Sequence, residues 1–228
     1  MQILTKYKGG SLGANALTAD AILSPKDAYV LSREFFSRTD ANYTLTGGPT
    51  VNIAATGTES EMGLMTTATN ATPAVYAVAS PHPVALPRAG RTIAYECRVS
   101  IDNISTATAA FFVGLSNAIG TIPVTTAGVA NAKCVGFVFD QAQIRGVCFG
   151  TTAGSVTLTT AAAVNTRYRL GFVMRDLTNI DFWFEGTYVG TVSTGTAMPD
   201  VILYEQYGQT TTAAKGCAVD YLHLTCSR

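Results

Sequence analysis

The run from Arg167 to Ser193 restricts the fold of this chain more than any other feature. Tyr168-Arg169-Leu170-Gly171-Phe172-Val173-Met174-Arg175 is followed by Asp176-Leu177-Thr178-Asn179, then by Ile180-Asp181-Phe182-Trp183-Phe184. Glu185-Gly186 then turns the chain into Thr187-Tyr188-Val189-Gly190-Thr191-Val192. Alternation puts Tyr168, Leu170, Phe172 and Met174 on one face, and Ile180, Phe182 and Phe184 on the matching face of the next strand. A period of two in aromatic and β-branched residues marks antiparallel strands with one buried face. Asp181, Trp183 and Glu185 fall on the opposite side.

The same alternation recurs upstream. In Ile93-Ala94-Tyr95-Glu96-Cys97-Arg98-Val99-Ser100-Ile101 the odd positions are apolar and the even ones polar or small. Cys134-Val135-Gly136-Phe137-Val138-Phe139 is almost continuously apolar, as a central strand should be. Further strands are expected at 51–55, 61–65, 74–79, 109–116, 143–149, 155–159, 201–206 and 218–225. No fixed repeat emerges, so two large antiparallel sheets packed face to face fit best. The expectation is an all-β jelly-roll sandwich over 43–228, which 228 residues can fill as one domain. The proline-rich stretch Ser80-Pro81-His82-Pro83-Val84-Ala85-Leu86-Pro87-Arg88 cannot be a central strand and reads as a crossover or a sub-boundary near 80–90.

Residues 1–23 are rich in Gly, Ala and Thr without periodicity and read as an extended arm. Ser24-Pro25-Lys26-Asp27 carries an N-cap Ser, a Pro at the first helical position and an acid in the first turn. These signals predict a short helix over 25–37. Residues 1–42 would then form a docking or oligomerisation unit, using Ile22, Leu23, Ala28, Leu31 and Phe35.

Composition narrows the surface chemistry. Charged residues make up 13% of the chain, against roughly 25% in ordinary soluble domains. Thr and Ala together exceed a quarter of it (33 and 32 residues), so hydroxyls and backbone must supply much of the polar surface. Lys and Arg equal Asp and Glu at 15 each, with no basic run of the kind that neutralises phosphates, which excludes a nucleic-acid partner. No window approaches the roughly 18 apolar residues of a membrane span. The start lacks the apolar core of a signal peptide, so synthesis and folding in the cytoplasm are expected. The five cysteines include no Cys-x-x-Cys pair and are expected as buried thiols.

The order of an aromatic-rich strand, a short loop, a strand ending in Glu185-Gly186, a return strand and a last strand Ala218-Val219-Asp220-Tyr221-Leu222-His223-Leu224 resembles the concanavalin A-like lectin/glucanase jelly roll. Phe111-Phe112-Val113-Gly114-Leu115-Ser116 and Val135-Gly136-Phe137-Val138-Phe139-Asp140 are similar to that fold's paired core strands, and the likeness covers about residues 90–228. The whole chain also resembles bacteriophage virion components of the capsid-decoration, head-fibre and tail types. It shares their flexible start, Thr/Ala/Gly-rich β character and low charge.

Glycoside hydrolysis uses two carboxylates flanking the scissile bond. The glucanase branch of the fold sets them at alternate positions of one strand, and no such run exists here. Asp181 and Glu185, four apart around Trp183, come nearest and read as solvent-facing strand-end residues. His82 and His223 have no partner at ligand spacing, so no metal or other cofactor is implied. These readings predict no enzymatic activity. The expected role is a structural virion protein, located in the particle, whose partners are other virion proteins and further copies of itself, for example in a trimer. The alternative is a carbohydrate-binding module or receptor-binding tip. Its candidate contacts are Asn179, Asp181, Trp183 and Tyr188, with Tyr204, Gln206 and Tyr207 as further candidates.

Overall fold

A computed structural model describes residues 28–34, 44–46, 50–56, 59–65, 74–80, 82–101, 110–118, 132–140, 143–150, 153–193, 203–211 and 216–227. These residues form two antiparallel sheets and no helix. Sheet I runs in the order β13 (Thr187–Ser193), β12 (Asn179–Phe184), β11 (Tyr168–Met174), β6 (Ile93–Ile101), β15 (Gly216–Ser227), β4 (Glu59–Met65), β3 (Thr50–Thr56). A further strand, β1 (Ala28–Glu34), also pairs with β15. Sheet II runs β10 (Ala153–Thr159), β9 (Gln143–Phe149), β8 (Cys134–Asp140), β7 (Ala110–Ser116), β14 (Tyr204–Thr211), β5 (Ala74–Ala79), β2 (Thr44–Thr46). The protein is an all-β jelly-roll sandwich.

The short helix expected over 25–37 is not there. Ala28–Glu34 is a strand, with Ala28 opposite Ser227 and Leu31 opposite Leu224. The reason lies in β15, which is 12 residues long. On the side away from β6, β4 covers only Gly216 to Val219. The edge from Tyr221 to Ser227 is left for another strand, and the Tyr-Val-Leu run of β1 fills it. Pairing an open edge outweighs a local helix-start signal. Ala28 and Leu31, three apart, therefore fall on opposite parities of a strand and do not share a helical stripe. Ile22, Leu23 and Phe35 lie outside the described residues, as does the arm over 1–23.

Alternation fixes the two faces of each sheet. Tyr95, Cys97, Leu170, Phe172, Phe182 and Leu222 of sheet I face Val113, Val135, Phe137, Phe139 and Cys148 of sheet II in one core. Phe172 stacks on Tyr95 at 5.1 Å, and Phe137 meets Phe182 edge-on at 5.7 Å. Each such buried ring contributes about 1.5–3 kcal/mol through lost apolar surface. Gly146 of β9 lies directly beneath Phe182, where a Cβ would sit 2.6 Å from the ring carbon Cγ. The sheets approach this closely because that position has no side chain.

Between β5 and β6 the chain crosses from sheet II to sheet I. The amides of Val84 and Ala85 both donate to the carbonyl of Leu203, at 2.9 and 3.2 Å. Cys97, Cys134 and Cys148 are buried free thiols, and Cys226 is a free thiol of intermediate exposure.

Candidate functional site

The outward faces of the two sheets differ in chemistry. On sheet II the outward positions of β7, β8 and β9 include Phe112, Val138 and Val147, all buried, with Arg145 opposite Val138. On sheet I the outward positions carry acids, arginines, a tyrosine and a histidine. Antiparallel register aligns them in three rows, because residues opposite one another share a face.

The middle row runs Trp183, Gly171, Glu96, His223 across β12, β11, β6 and β15. One row over lie Arg169, Arg98 and Tyr221. On the other side lie Asp181, Val173, Ala94 and Thr225. The residues between these rows, Leu170, Cys97 and Leu222, belong to the core. Trp183 packs with Ala94 and Val173 into a small apolar cluster of its own on this outward face.

Polar groups at the centre of the face are buried and bonded. Glu96 is only 4% exposed and accepts a hydrogen bond at Oε1 from the Tyr221 hydroxyl, 2.7 Å away. Burial, and then the charge of Glu96, push the Tyr221 hydroxyl far above its ordinary range, so it stays protonated. Burial pushes the His223 imidazole down from 6.5, which keeps it neutral at neutral pH. Asp220 is the extra residue of a bulge in β15 between Val219 and Tyr221, and it ion-pairs with Arg98. The Arg98 guanidinium lies over the Tyr221 ring, 5.9 Å from its centroid. A phenol donor, a buried carboxylate, a neutral imidazole and two arginines thus share one face. The Glu96 carboxylate is enclosed among them, while Tyr221 and His223 stay partly exposed.

At the β12–β13 end the face carries the residues suggested by the hairpin sequence. Tyr188 is 54% exposed and meets Trp183 edge-on at 5.7 Å, whereas Trp183 itself is only 5% exposed. Of these two rings the exposed one is therefore Tyr188, and Trp183 backs it. The Tyr188 hydroxyl pairs with Thr191 Oγ1 at 2.8 Å, and Thr191 donates to Asp181. Asp181 also faces Arg175 Nε at 3.5 Å. Asn179 is tied to the turn before β12. Its amide and side chain donate to the two carboxylate oxygens of Asp176, at 2.6 and 3.1 Å.

Glu185 stands in the hairpin turn with φ 51°, and its Oε1 accepts from the backbone amide of Arg169 at 2.8 Å. It closes the turn and is not a second carboxylate beside Asp181. Tyr204, Gln206 and Tyr207 belong to β14 of sheet II, so they join no site with Trp183. Among the described residues no group of three His, Cys, Asp or Glu could hold a metal.

Motif reading missed Glu96, Tyr221 and His223, which come together from strands more than a hundred residues apart. The signal available was the parity of Ile93–Ile101, which already puts Glu96 and Arg98 on the outward side.

No family model and no curated protein matches the chain. Solved structures do. A protein of unknown function from Shewanella oneidensis MR-1 aligns over 92% of this chain and 97% of its own, with TM-score 0.64 and 14% identity. The Emp47p carbohydrate recognition domain aligns over 89% and 98% (TM-score 0.58, 8% identity). An endo-1,3-β-glucanase from Streptomyces sioyaensis aligns over 90% and 98% (TM-score 0.56, 12% identity). At such identities what is shared is the fold, that of concanavalin-like lectins and glucanases.

The expectation of no enzymatic activity is corrected to this: enzymes and non-enzymes share the fold, so the fold does not exclude activity. The similar structures include the glucanase, an alginate lyase and a carbohydrate esterase of Shiga toxin-encoding bacteriophage phi24B (TM-score 0.51, 14% identity, 81% and 89% covered). The expectation rested on a missing linear motif. On a sheet, groups from distant strands meet without one, as Glu96 and Tyr221 do.

Proposed function

We propose that the outward face of sheet I binds a glycan chain, with Tyr188 as the stacking platform and the polar centre around Glu96 as the hydrogen-bonding part. The observation that carries this reading is the exposed ring of Tyr188, backed by Trp183, on the same face as the Glu96–Tyr221–His223 group. Sugar recognition combines an aromatic surface with a few fixed polar groups. That lectin, glucanase and esterase structures share the fold supports it as analogy. A glycan array tests it, with wild type beside Tyr188→Ala. Binding by wild type and its loss in the variant are expected. A wild type that takes no glycan ends the reading.

We further propose that the chain serves as a bacteriophage particle component, the setting suggested by its low charge and Thr/Ala/Gly-rich β composition. Attachment would run through the residues before β1. Deleting residues 1–27 leaves β1 on β15, so the sandwich should fold while incorporation fails. Mass spectrometry of purified particles reads the outcome, and full incorporation of the truncated chain would place attachment elsewhere.

A further inference from the structure

Tyr188 and Thr191 of β13 are three residues apart, and a regular strand would set them on opposite faces. The register skips Val189: Gly190 lies opposite Phe182, and Tyr188 opposite Trp183. This bulge brings Tyr188 to the same side as Thr191, which lies opposite Asp181. Ile180 and Phe182 point into the core, so Asp181 and Trp183 face outward and the four side chains share one end of sheet I. Tyr188 and Thr191 are exposed there, and Asp181 partly so.

Hydrogen accounting at this end has one solution. The Thr191 hydroxyl has a single hydrogen and donates it to Oδ1 of Asp181. The 2.8 Å bond between Tyr188 and Thr191 therefore takes its hydrogen from the phenol. Arg175 Nε stands 3.5 Å from the other oxygen of Asp181 and matches its charge. Both hydroxyl hydrogens are thus spent inside the protein, and what these three side chains keep for a ligand is acceptor capacity.

A ligand that fits acceptors must bring donors. Sugar hydroxyls do so. A carboxylate or sulfate sets lone pairs against lone pairs and meets the like charge of Asp181. An ammonium donates as well, but Asp181 already has its counter-charge in Arg175. The Tyr188 ring, tied at its hydroxyl and backed by Trp183, is a fixed surface for the C–H face of a sugar ring.

We propose that the glycan taken by this face is uncharged, with a sugar ring on Tyr188 and hydroxyls donating to Thr191 and Asp181. The inference rests on the glycan-binding reading and adds the substrate class.

The test measures binding to an array of uncharged, acidic and amino glycans and to two matched pairs. One pair is polygalacturonate and its carboxyl-reduced form, the other chitosan oligosaccharides and their fully acetylated form. Variants are Asp181→Asn and Thr191→Val, and melting curves confirm that both fold. Wild type should bind uncharged members about tenfold or more tighter than charged ones, with little change on added salt. Asp181→Asn supplies amide donors and leaves Arg175 without this carboxylate. It should bind uncharged glycans about tenfold more weakly and narrow the gap to acidic ones, and Thr191→Val should weaken uncharged glycans by a similar factor. A wild-type preference for acidic or amino glycans, or equal affinity within both pairs, overturns the inference and leaves glycan binding standing. A preference for uncharged glycans that neither variant alters also overturns it. No binding to any glycan overturns both proposals.

Discussion

Tyr221 gives its hydroxyl hydrogen to Glu96 across the β6–β15 boundary, a 2.7 Å bond between two side chains 125 positions apart in the chain. It runs diagonally, since Tyr221 is registered opposite Arg98, and Glu96 opposite His223. A carboxylate 4% exposed on the outward side of a sheet needs such a donor, because a buried charge stripped of partners is costly.

Tyr221→Phe removes that donor and leaves the carboxylate in place. The variant should lose about 1–3 kcal/mol in urea unfolding, and Glu96→Gln, which keeps an acceptor oxygen, should lose less. No loss in Tyr221→Phe, which keeps the ring, would mean that packing of the ring, and not the bond, holds the pair.

The same bond predicts an alkaline limit. Tyr221 has its folded-state pKa raised above the ordinary 10.0 by burial and by Glu96. Its contribution is complete below pH 10.0 and is lost as pH rises beyond it, because the unfolded chain then ionises while the folded one resists. Melting temperature should fall above that point in wild type and less steeply in Tyr221→Phe.

Acid acts on two other groups, in separate windows. Burial lowers the His223 pKa below 6.5, so stability present above 6.5 declines as pH falls and the unfolded chain takes up a proton. Asp176 is held at about 2, against 3.8, first by the amide of Asn179 and against a desolvation penalty. Its contribution is lost between 3.8 and about 2. His223→Gln should flatten the upper window alone, and Asp176→Ala the lower one alone. Thermal melts from pH 8 to pH 2 check both, and a variant that altered the other window would break the assignment.

How far the chain could be read depended on how local each signal was. The β11–β12–β13 hairpins were legible because Leu170, Phe172 and Phe182 alternate within single runs and the turn residues sit between them. Residues 28–34 were misread because Ser24-Pro25-Asp27 is a local helix-start signal, whereas the open edge of β15 that overrides it lies almost two hundred residues away. β2, three residues long, is too short to show a period, and the penultimate strand was expected at 201–206 but runs Tyr204–Thr211. Tyr188 and Trp183 were found as site candidates from one hairpin. Their unequal exposure depends on Ala94 and Val173 packing beside Trp183, which no single run reveals.

Buried thiols offer a probe of the sandwich as a whole. Burial pushes the Cys97 and Cys134 thiols far up and holds Cys148 at about 12, so none carries useful thiolate at neutral pH. Peptide mass spectrometry after brief iodoacetamide treatment should find these three unmodified in the native protein and modified in denaturant. Rapid native labelling at Cys148 would show that the β9–β10 end of sheet II opens.

The contact between Gly146 and Phe182 joins the two sheets where the core leaves least room. A methyl group added at Gly146 would sit 2.6 Å from Cγ of Phe182, a ring that is fully buried and wedged against Phe137 and Phe172. The ring cannot yield without disturbing both neighbours, so the strands must separate or the ring must leave its rotamer. Gly146→Ala should cost about 1–3 kcal/mol by overpacking. Adding Phe182→Leu, a smaller side chain, should recover part of that loss, although Phe182→Leu alone destabilises. The sign of the coupling in this double-mutant cycle is the decisive quantity. Losses that simply add would mean that Gly146 serves β9 through its backbone and not through the space it leaves for the ring.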